Sequence, residues 1–193
     1  MPSIKAVAKP ALSLEEKLGQ KLMLDFRYFC EQGTGKHCRT PMTKLPESLA
    51  RVISDYNIGG VILFSENTQS IEQTITLSHQ LQVAASKSSS KLPLFISIDQ
   101  EGGRVARLPR DVATSFTGNM SIGATYKQHG VDFATKSATV IANELTALGI
   151  NVNYAPTIDV NMNPDNPVIN VRSFGENPQR VSELGAAQVA EFE

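Results

Sequence analysis

Two carboxylates and two guanidiniums lie close together in residues 98–107, which read Ile-Asp-Gln-Glu-Gly-Gly-Arg-Val-Ala-Arg. Asp99 and Glu101 follow an apolar run, and Arg104 and Arg107 follow two glycines that allow the backbone to turn tightly. Carboxylates accept hydrogen bonds from neighbouring hydroxyl groups, and guanidiniums donate to the oxygens of the same ligand. This composition predicts a site for a polyol or sugar, with ion pairs that only hold the loop in place as the alternative.

Polar residues also follow the other apolar runs of the chain. Residues 25–27 contain Asp25 and Arg27, residues 65–67 read Ser-Glu-Asn, and Asp159 follows a fourth run. Ligands of parallel α/β proteins bind beyond the carboxyl ends of the strands. We therefore expect these side chains to meet the 98–107 segment at one edge of a sheet.

The elements that position these residues alternate between strand and helix patterns. Apolar, β-branched runs predict strands at 21–26, 60–64, 94–98 and 150–155, and residues 99–130 are predicted to be a long loop. Amphipathic spacing and capping residues predict helices at 14–20, 46–56, 70–85, 131–148 and from 178 onward. Alternation of this kind indicates a parallel α/β fold, either an open doubly wound sheet or about half of an eight-stranded barrel.

Composition excludes several classes of function. The 193 residues contain 18 Lys and Arg against 19 Asp and Glu, so no overall positive field favours nucleic acid. No run approaches the roughly 18 to 20 apolar residues that a membrane span needs, so we expect no membrane insertion. Glycine-rich phosphate-binding loops are missing after every predicted strand, which disfavours a nucleotide-binding domain. We expect no cofactor and no metal.

Four separated motifs, in this order along the chain, make the sequence recognisable. They are Gly-Gly-Val-Ile-Leu-Phe at 59–64, Ile-Asp-Gln-Glu-Gly-Gly-Arg-Val at 98–105, Asn-Tyr-Ala-Pro-Thr-Ile-Asp-Val at 153–160 and Val-Ile-Asn-Val-Arg-Ser-Phe-Gly at 168–175. Together they resemble family 3 glycoside hydrolases, most closely the β-N-acetylglucosaminidase branch. The resemblance implies a (β/α)8 TIM-type barrel of which this chain covers about the first four β/α units. It implies an N-terminal extension at 1–12 and half of the barrel domain at 13–193.

The resemblance also implies a substrate and a set of binding residues. The expected substrate is terminal β-linked N-acetylglucosamine in peptidoglycan or chitin-type oligosaccharides, hydrolysed with retention of configuration. Asp99 is expected to bind sugar hydroxyls, with Arg107 and Arg172 holding the non-reducing sugar. Glu101 and Arg104 are expected to brace Asp99. Asp159 is expected to support the site without contacting sugar. In the alternative interpretation, Arg172 only anchors its loop to Asp159 or Glu176.

Motifs that the resemblance leads us to expect further on are absent from the chain. These are a Lys-His and a Gly-His-Gly segment, followed by an Asp nucleophile. We therefore expect no catalytic residue in the 193 residues, and a sugar-binding half that is inactive alone. A non-catalytic carbohydrate-binding module is the alternative function. A half-barrel also has open strand edges, so self-association is expected.

Cys30 and Cys38 lie in a polar, glycine-containing segment. They could form a disulfide, remain free thiols, bind a metal with His37, or include a nucleophile. A structural zinc site needs four ligands, and no acid-base partner for a nucleophile is nearby. Relative to compact family members the segment is an insertion, which favours a disulfide over free thiols. A disulfide predicts a periplasmic or secreted bacterial protein, with a cytoplasmic location as the alternative.

Overall fold

A computed structural model of the protein describes residues 11–31 and 37–193. Its centre is a sheet of four parallel strands in the order β1-β2-β3-β4. The predicted α/β class with a parallel sheet is therefore confirmed. The sheet is open, with β1 and β4 as its edges, and the predicted extension at 1–12 lies almost entirely outside the described residues. The strands are β1 Met23–Asp25, β2 Gly60–Leu63, β3 Phe95–Ile98 and β4 Val152–Asn153.

The two central strands are buried on both faces, as their apolar sequences predict. Val61 and Leu63 of β2 and Ile96 and Ile98 of β3 are fully buried. The edge strands are shorter than their predicted ranges of 21–26 and 150–155. Each edge strand has a hydrogen-bonding neighbour on one side only. The strand β4 pairs with just two residues of β3.

Seven helices are present in the described part of the chain, and the capping residues identified in the sequence begin several of them. Ser13 and Glu16 form a capping box, and Ser70 and Asn177 accept hydrogen bonds from the first turns of their helices. The helices are α1 Leu14–Gln20, α2 Glu47–Asp55, α3 Ile71–Ser86, α4 Asn119–Ala124, α5 Tyr126–His129, α6 Asp132–Ala147 and α7 Pro178–Phe192.

The prediction of one long loop at 99–130 is wrong, because α4 and α5 form within it. The sequences of α4 and α5 lack a clear apolar period, so no local pattern predicts these helices. Tertiary contacts stabilise them instead. A side chain at Gly123 of α4 would lie 1.7 Å from the backbone oxygen of Phe174. This close approach packs α4 against a 3-10 turn, Asn170–Arg172, that the sequence analysis also missed.

Two apolar cores position the loops at the carboxyl ends of the strands. The larger core packs the sheet against α2, α3 and α6. The smaller core joins α4, α6, α7 and the segment after the 3-10 turn through Ile122, Ala134, Phe174, Val181 and Leu184. It therefore fixes the backbone that follows Arg172 against these helices.

Candidate sugar-binding site

Asp99 and Arg107 face each other directly after β3. The Nη2 of Arg107 lies 3.4 Å from the Oδ2 of Asp99. The side chains are 26% and 32% exposed respectively, so the pair is open to solvent. A long contact between partly exposed groups leaves part of the carboxylate and part of the guanidinium open to a ligand, although the Nε of Arg107 is buried.

Gln100 and Thr68 hold the backbone of Arg107, and Asn153 in turn holds the backbone of Gln100. The Oε1 of buried Gln100 accepts hydrogen bonds from the amides of Arg107 at 2.7 Å and Leu108 at 3.2 Å. Thr68 donates to the carbonyl of Arg107 at 2.7 Å. Asn153 of β4 pairs with both backbone groups of Gln100, at 2.9 and 3.0 Å. The sequence analysis missed these three residues, although Gln100 lies inside the motif it singled out.

The two glycines of the motif form the tight turn that the sequence predicts. Gly102 has a φ of 84° and Gly103 a φ of 59°. A side chain at Gly103 would lie 2.9 Å from the Cα of Gly118. The turn closes with a hydrogen bond from the amide of Glu101 to the carbonyl of Val105.

Glu101 binds Arg172 instead of bracing Asp99. Both oxygens of the Glu101 carboxylate accept hydrogen bonds from Arg172, at 2.9 Å from Nε and 2.6 Å from Nη2. Glu101 is 4% exposed and Arg172 27%, so the carboxylate is consumed by this pair while the guanidinium remains accessible. The hydrogen bonds that Arg172 donates to Glu101, together with the charges of Glu101, Asp159 and Asp99, raise the pKa of Arg172 and keep it charged.

Two other predicted site residues lie apart from these pairs. Arg104 sits at the exposed tip of the glycine turn and makes no hydrogen bond or ion pair with any described residue, so its expected contact with Asp99 is not formed. The turn reverses the chain at this position, between Gly102 and Val105. Asp159 is exposed, and its carbonyl accepts a hydrogen bond from Ser173 at 2.5 Å. Neither Asp159 nor Glu176 forms an ion pair with Arg172 in the ranges described.

A second polar group follows β1 and β2. The guanidinium of Arg27 lies 3.4 Å from the centre of the Phe64 ring, and that of Arg107 lies 5.9 Å from the same ring. Tyr28 donates a hydrogen bond to Glu66 at 2.8 Å. This bond is the main cause that lowers the pKa of Glu66 and raises the pKa of Tyr28.

Cys30 and Cys38 are joined in a disulfide, with a Cα–Cα distance of 5.9 Å. The thiol, metal and nucleophile alternatives for these cysteines are therefore not realised in the structure. Across the described ranges, no three His, Cys, Asp or Glu side chains cluster as metal ligands. No described helix is both long and apolar enough to cross a membrane.

Comparison with protein families shows which family this arrangement of strands and loops belongs to. Residues 13–192 match the model of the glycosyl hydrolase family 3 N terminal domain. The chain belongs to glycosyl hydrolase family 3.

Individual relatives of this family 3 domain are longer proteins. The chain is 61% identical over 188 residues to Beta-hexosaminidase A from Pseudoalteromonas piscicida, which is 96% of this chain and 31% of that protein. A family 3 beta-N-acetylglucosaminidase from Paenibacillus sp. str. FPU-7 superposes with a TM-score of 0.80 and 39% identity, over 94% of this chain and 31% of that one. NagZ from Neisseria gonorrhoeae, in complex with N-trifluoroacetyl-D-glucosamine, superposes with a TM-score of 0.71 and 30% identity. The superposition covers 89% of this chain and 45% of that one.

In this family 3 domain, the residues predicted to bind sugar meet at one edge of the sheet. Asp99 and Arg107 are in contact, and Arg172 pairs with Glu101, which lies two residues after Asp99. One acceptor group and two donor groups are thus partly open to solvent in one region. Carboxylate acceptors and guanidinium donors of this kind can hydrogen-bond the hydroxyl groups of a pyranose.

Proposed function

We propose that this chain supplies the sugar-binding residues of a retaining β-N-acetylhexosaminidase. The proposed substrate is terminal β-linked N-acetylglucosamine in peptidoglycan or chitin-type oligosaccharides. The observation that carries the proposal is the partly exposed Asp99–Arg107 pair beside Arg172, at the carboxyl ends of the strands of a family 3 domain. Asp99 accepts hydrogen bonds from hydroxyl groups of the non-reducing sugar, and Arg107 and Arg172 donate to its oxygens.

The barrel is part of the same proposal. The four strands follow one another across the sheet in chain order, without the reversal that defines the switch point of a doubly wound sheet. The similarity to the Paenibacillus beta-N-acetylglucosaminidase also supports a barrel half. Four further β/α units, pairing with the open edges of β1 and β4, would close a (β/α)8 barrel.

The groups that break the glycosidic bond are proposed to lie outside these 193 residues. Retention requires a nucleophilic carboxylate on one face of the anomeric carbon and an acid/base on the other. This branch is expected to carry a Lys-His segment, a Gly-His-Gly segment and an Asp nucleophile. The sequence contains no counterpart of these three features. The chain by itself is then a binding unit without hydrolytic activity.

A hybrid enzyme tests this function. The 188 matched residues of the Pseudoalteromonas protein are replaced by those of this chain, and hydrolysis of a chromogenic β-N-acetylglucosaminide is measured. We expect the hybrid to be active and the Asp99→Asn hybrid to lose at least about 100-fold in kcat/KM, equivalent to about 2.7 kcal/mol. Asp55→Asn, which changes an exposed carboxylate on α2, is the matched control and keeps full activity.

The same assay separates the alternatives. Hydrolysis by the 193-residue chain alone would overturn the placement of the catalytic groups. A folded, inactive hybrid whose parent is active, together with N-acetylglucosamine binding by the chain, would favour the non-catalytic module. Full activity of the Asp99→Asn hybrid would overturn the assigned role of Asp99.

Location and assembly follow from two other features. We propose a periplasmic or secreted location, supported by the Cys30–Cys38 disulfide, because such bonds persist in oxidising compartments. We also propose that the isolated chain self-associates, because the edges of β1 and β4 are open. Neither nucleic acid nor a cofactor takes part in the proposed function.

A further inference from the structure

Asn119 is the first residue of α4 and lies outside the four motifs that identify the sequence. It is 2% exposed. Its Nδ2 donates a hydrogen bond to the carbonyl oxygen of Arg172 at 2.9 Å, across 53 positions of sequence. Arg172 carries one of the two guanidiniums assigned to the sugar site. A buried side chain of α4 therefore contacts the backbone of a residue that is proposed to bind sugar.

The turn that carries Arg172 is a weak local structure. It is a single 3-10 turn, in which the amide of Arg172 donates to the carbonyl of Ile169 at 2.8 Å. Asn170 within it has a φ of 36°, a conformation that is uncommon for residues other than glycine. Hydrogen bonds of 3-10 turns have poorer geometry than those of α-helices. Contacts from other parts of the fold therefore decide where this turn lies.

Arg172 is held at both ends of its side chain. Glu101 accepts two hydrogen bonds from the guanidinium, at 2.9 and 2.6 Å, and Asn119 holds the carbonyl of the same residue. An arginine that is fixed at one end only keeps several rotatable bonds free. The two contacts together restrict the direction in which the guanidinium points, as a binding site requires of its donors.

The segment directly before α4 lies between the two parts of the backbone that are next to the proposed sugar-binding residues. The carbonyl of Phe116 accepts a hydrogen bond from the amide of Gly103 at 3.0 Å. A side chain at Gly118 would lie 3.4 Å from the Cα of Gly103 and 3.7 Å from the carbonyl oxygen of Val171. Residues 116–119 thus contact the glycine turn on one side and the 3-10 turn on the other.

The amide of Asn119 uses only half of its hydrogen-bonding capacity. Its Oδ1 is buried and receives no hydrogen bond from any residue in 11–31 or 37–193. A buried polar atom without a partner lowers the stability of a fold, so an apolar side chain would suit a position that only needs packing. The loss of stability at Oδ1 favours a role for Asn119 in holding Arg172 over a role in packing.

We propose that Asn119 is a positioning residue of the sugar site. By donating to the carbonyl of Arg172, it sets the direction from which the guanidinium reaches the non-reducing sugar. Asn119 acts through Arg172 and not through Arg107, whose backbone is held by Gln100 and Thr68. The inference rests on the proposed function, because that function assigns a sugar contact to Arg172.

A double-mutant cycle on the 193-residue chain tests this role, with the Kd for N-acetylglucosamine measured by titration calorimetry. We expect Arg172→Gln, which keeps a hydrogen-bond donor for buried Glu101, to raise the Kd about tenfold or more, because hydrogen bonds from the charged group are lost. We expect Asn119→Ala to raise it about fivefold, within the range of couplings between neighbouring residues. The double variant is expected to stay within about twofold of Arg172→Gln, since no guanidinium is left to position.

Two controls separate positioning of one residue from general loosening of the site. We expect the losses of Asn119→Ala and Arg107→Gln to multiply, because different groups hold Arg107. Asn143→Ala removes an exposed amide of α6 and is expected to leave the Kd unchanged. Urea denaturation checks that each variant is folded. If Asn119→Ala is unfolded, Asn119→Ser replaces it in both cycles, because serine is well accepted at the start of a helix.

The possible outcomes decide separate points. Failure of the parent chain to bind N-acetylglucosamine would overturn the proposed function, and the role of Asn119 with it. If the parent binds, an unchanged Kd of Asn119→Ala would overturn the positioning role and leave the proposed function standing. Losses that multiply with Arg172→Gln, or that do not multiply with Arg107→Gln, would contradict an action through Arg172. Unfolding of both Asn119 variants would assign this residue to stability instead.

Discussion

Gln100 shows how one buried amide side chain positions a neighbouring residue of the proposed sugar site. It is 2% exposed, and its Oε1 accepts from the amides of Arg107 and Leu108. Because Arg107 faces Asp99, the position of the guanidinium depends on this acceptor. The residue acts by positioning Arg107 and need not touch sugar itself.

Replacement of Gln100 by Leu keeps the volume and removes the acceptor. Two backbone amides then lose their partner, so we expect the free energy of unfolding to fall by about 2–4 kcal/mol. Urea denaturation measures the loss, and sugar titration of the folded variant should show weaker binding. Gln179→Leu, at an exposed position of α7, should stay within about 0.5 kcal/mol of the parent. Equal stabilities of the two variants would contradict this role.

Glu66 couples the stability of the protein to acid pH. Its pKa is lowered in the folded state, chiefly by the hydrogen bond from Tyr28. A lowered folded-state pKa means that the ionised carboxylate stabilises the protein above its ordinary pKa of about 4.3. This stabilisation is lost as the pH falls from there through the lowered pKa.

Glu66→Gln should therefore reduce the dependence of stability on acid pH. We expect the variant to lose less unfolding free energy than the parent between pH 6 and pH 3, as measured by urea denaturation at each pH. Glu47→Gln, at an exposed site on α2, serves as the control and should follow the parent. A parent and Glu66→Gln variant with the same acid dependence would refute the coupling.

At the scale of the elements, a disulfide constrains the connection from β1 to α2. The disulfide closes a loop between positions eight residues apart, and two backbone hydrogen bonds continue the pairing beyond it. In the chain-entropy description, a loop of this size stabilises a fold by about 2–3 kcal/mol. The Tyr28–Glu66 bond and the cation–π contact of Arg39 lie directly beside it.

Cys30→Ser with Cys38→Ser should lower the free energy of unfolding by about 2–3 kcal/mol, because the unfolded chain regains the freedom of the open loop. Denaturation with and without reductant provides an internal control. Reductant should destabilise the parent by a similar amount and leave the double variant unchanged. A parent that is insensitive to complete reduction would contradict the assignment.

At the scale of the whole molecule, the segment that follows β4 in the sequence exposes apolar side chains to solvent. Ile158, Met162 and Val168 are 63%, 88% and 64% exposed. Apolar surface beside an unpaired strand edge promotes association between copies. We therefore expect the 193-residue chain to form dimers or larger species as its concentration rises.

Met162→Ser combined with Val168→Ser should weaken this association at least about tenfold. Sedimentation over a range of concentrations measures the dissociation constant. Val83→Ser, which alters an exposed apolar side chain of α3, is the control and should leave association unchanged. A parent that stays monomeric at all concentrations would show that the exposed side chains do not drive association.

Local sequence determined much of the molecule. The capping box of Ser13 and Glu16 and the cap at Asn177 involve residues three positions apart, so the pattern alone predicts where those helices begin. Runs that are apolar at successive positions identify β2 and β3, because a strand buried on both faces needs no polar residue. The glycine turn at Gly102 and Gly103 was predicted from the two adjacent glycines, because glycine adopts a positive φ at little cost.

Tertiary structure decided the contacts between residues far apart in the sequence. Glu101 and Arg172 are 71 positions apart, and the choice of Arg172 over Asp99 as the partner of Glu101 depends on how α4, α6 and α7 pack around the 3-10 turn. The pairing of Tyr28 with Glu66, 38 positions away, likewise requires β1 to lie beside β2. Residue types and local spacing therefore predicted a polyol or sugar site in residues 98–107, and the resemblance to family 3 added Arg172 to the groups expected to bind it. Packing of distant segments decided which group each of them contacts, because it sets the direction of every side chain at the edge of the sheet.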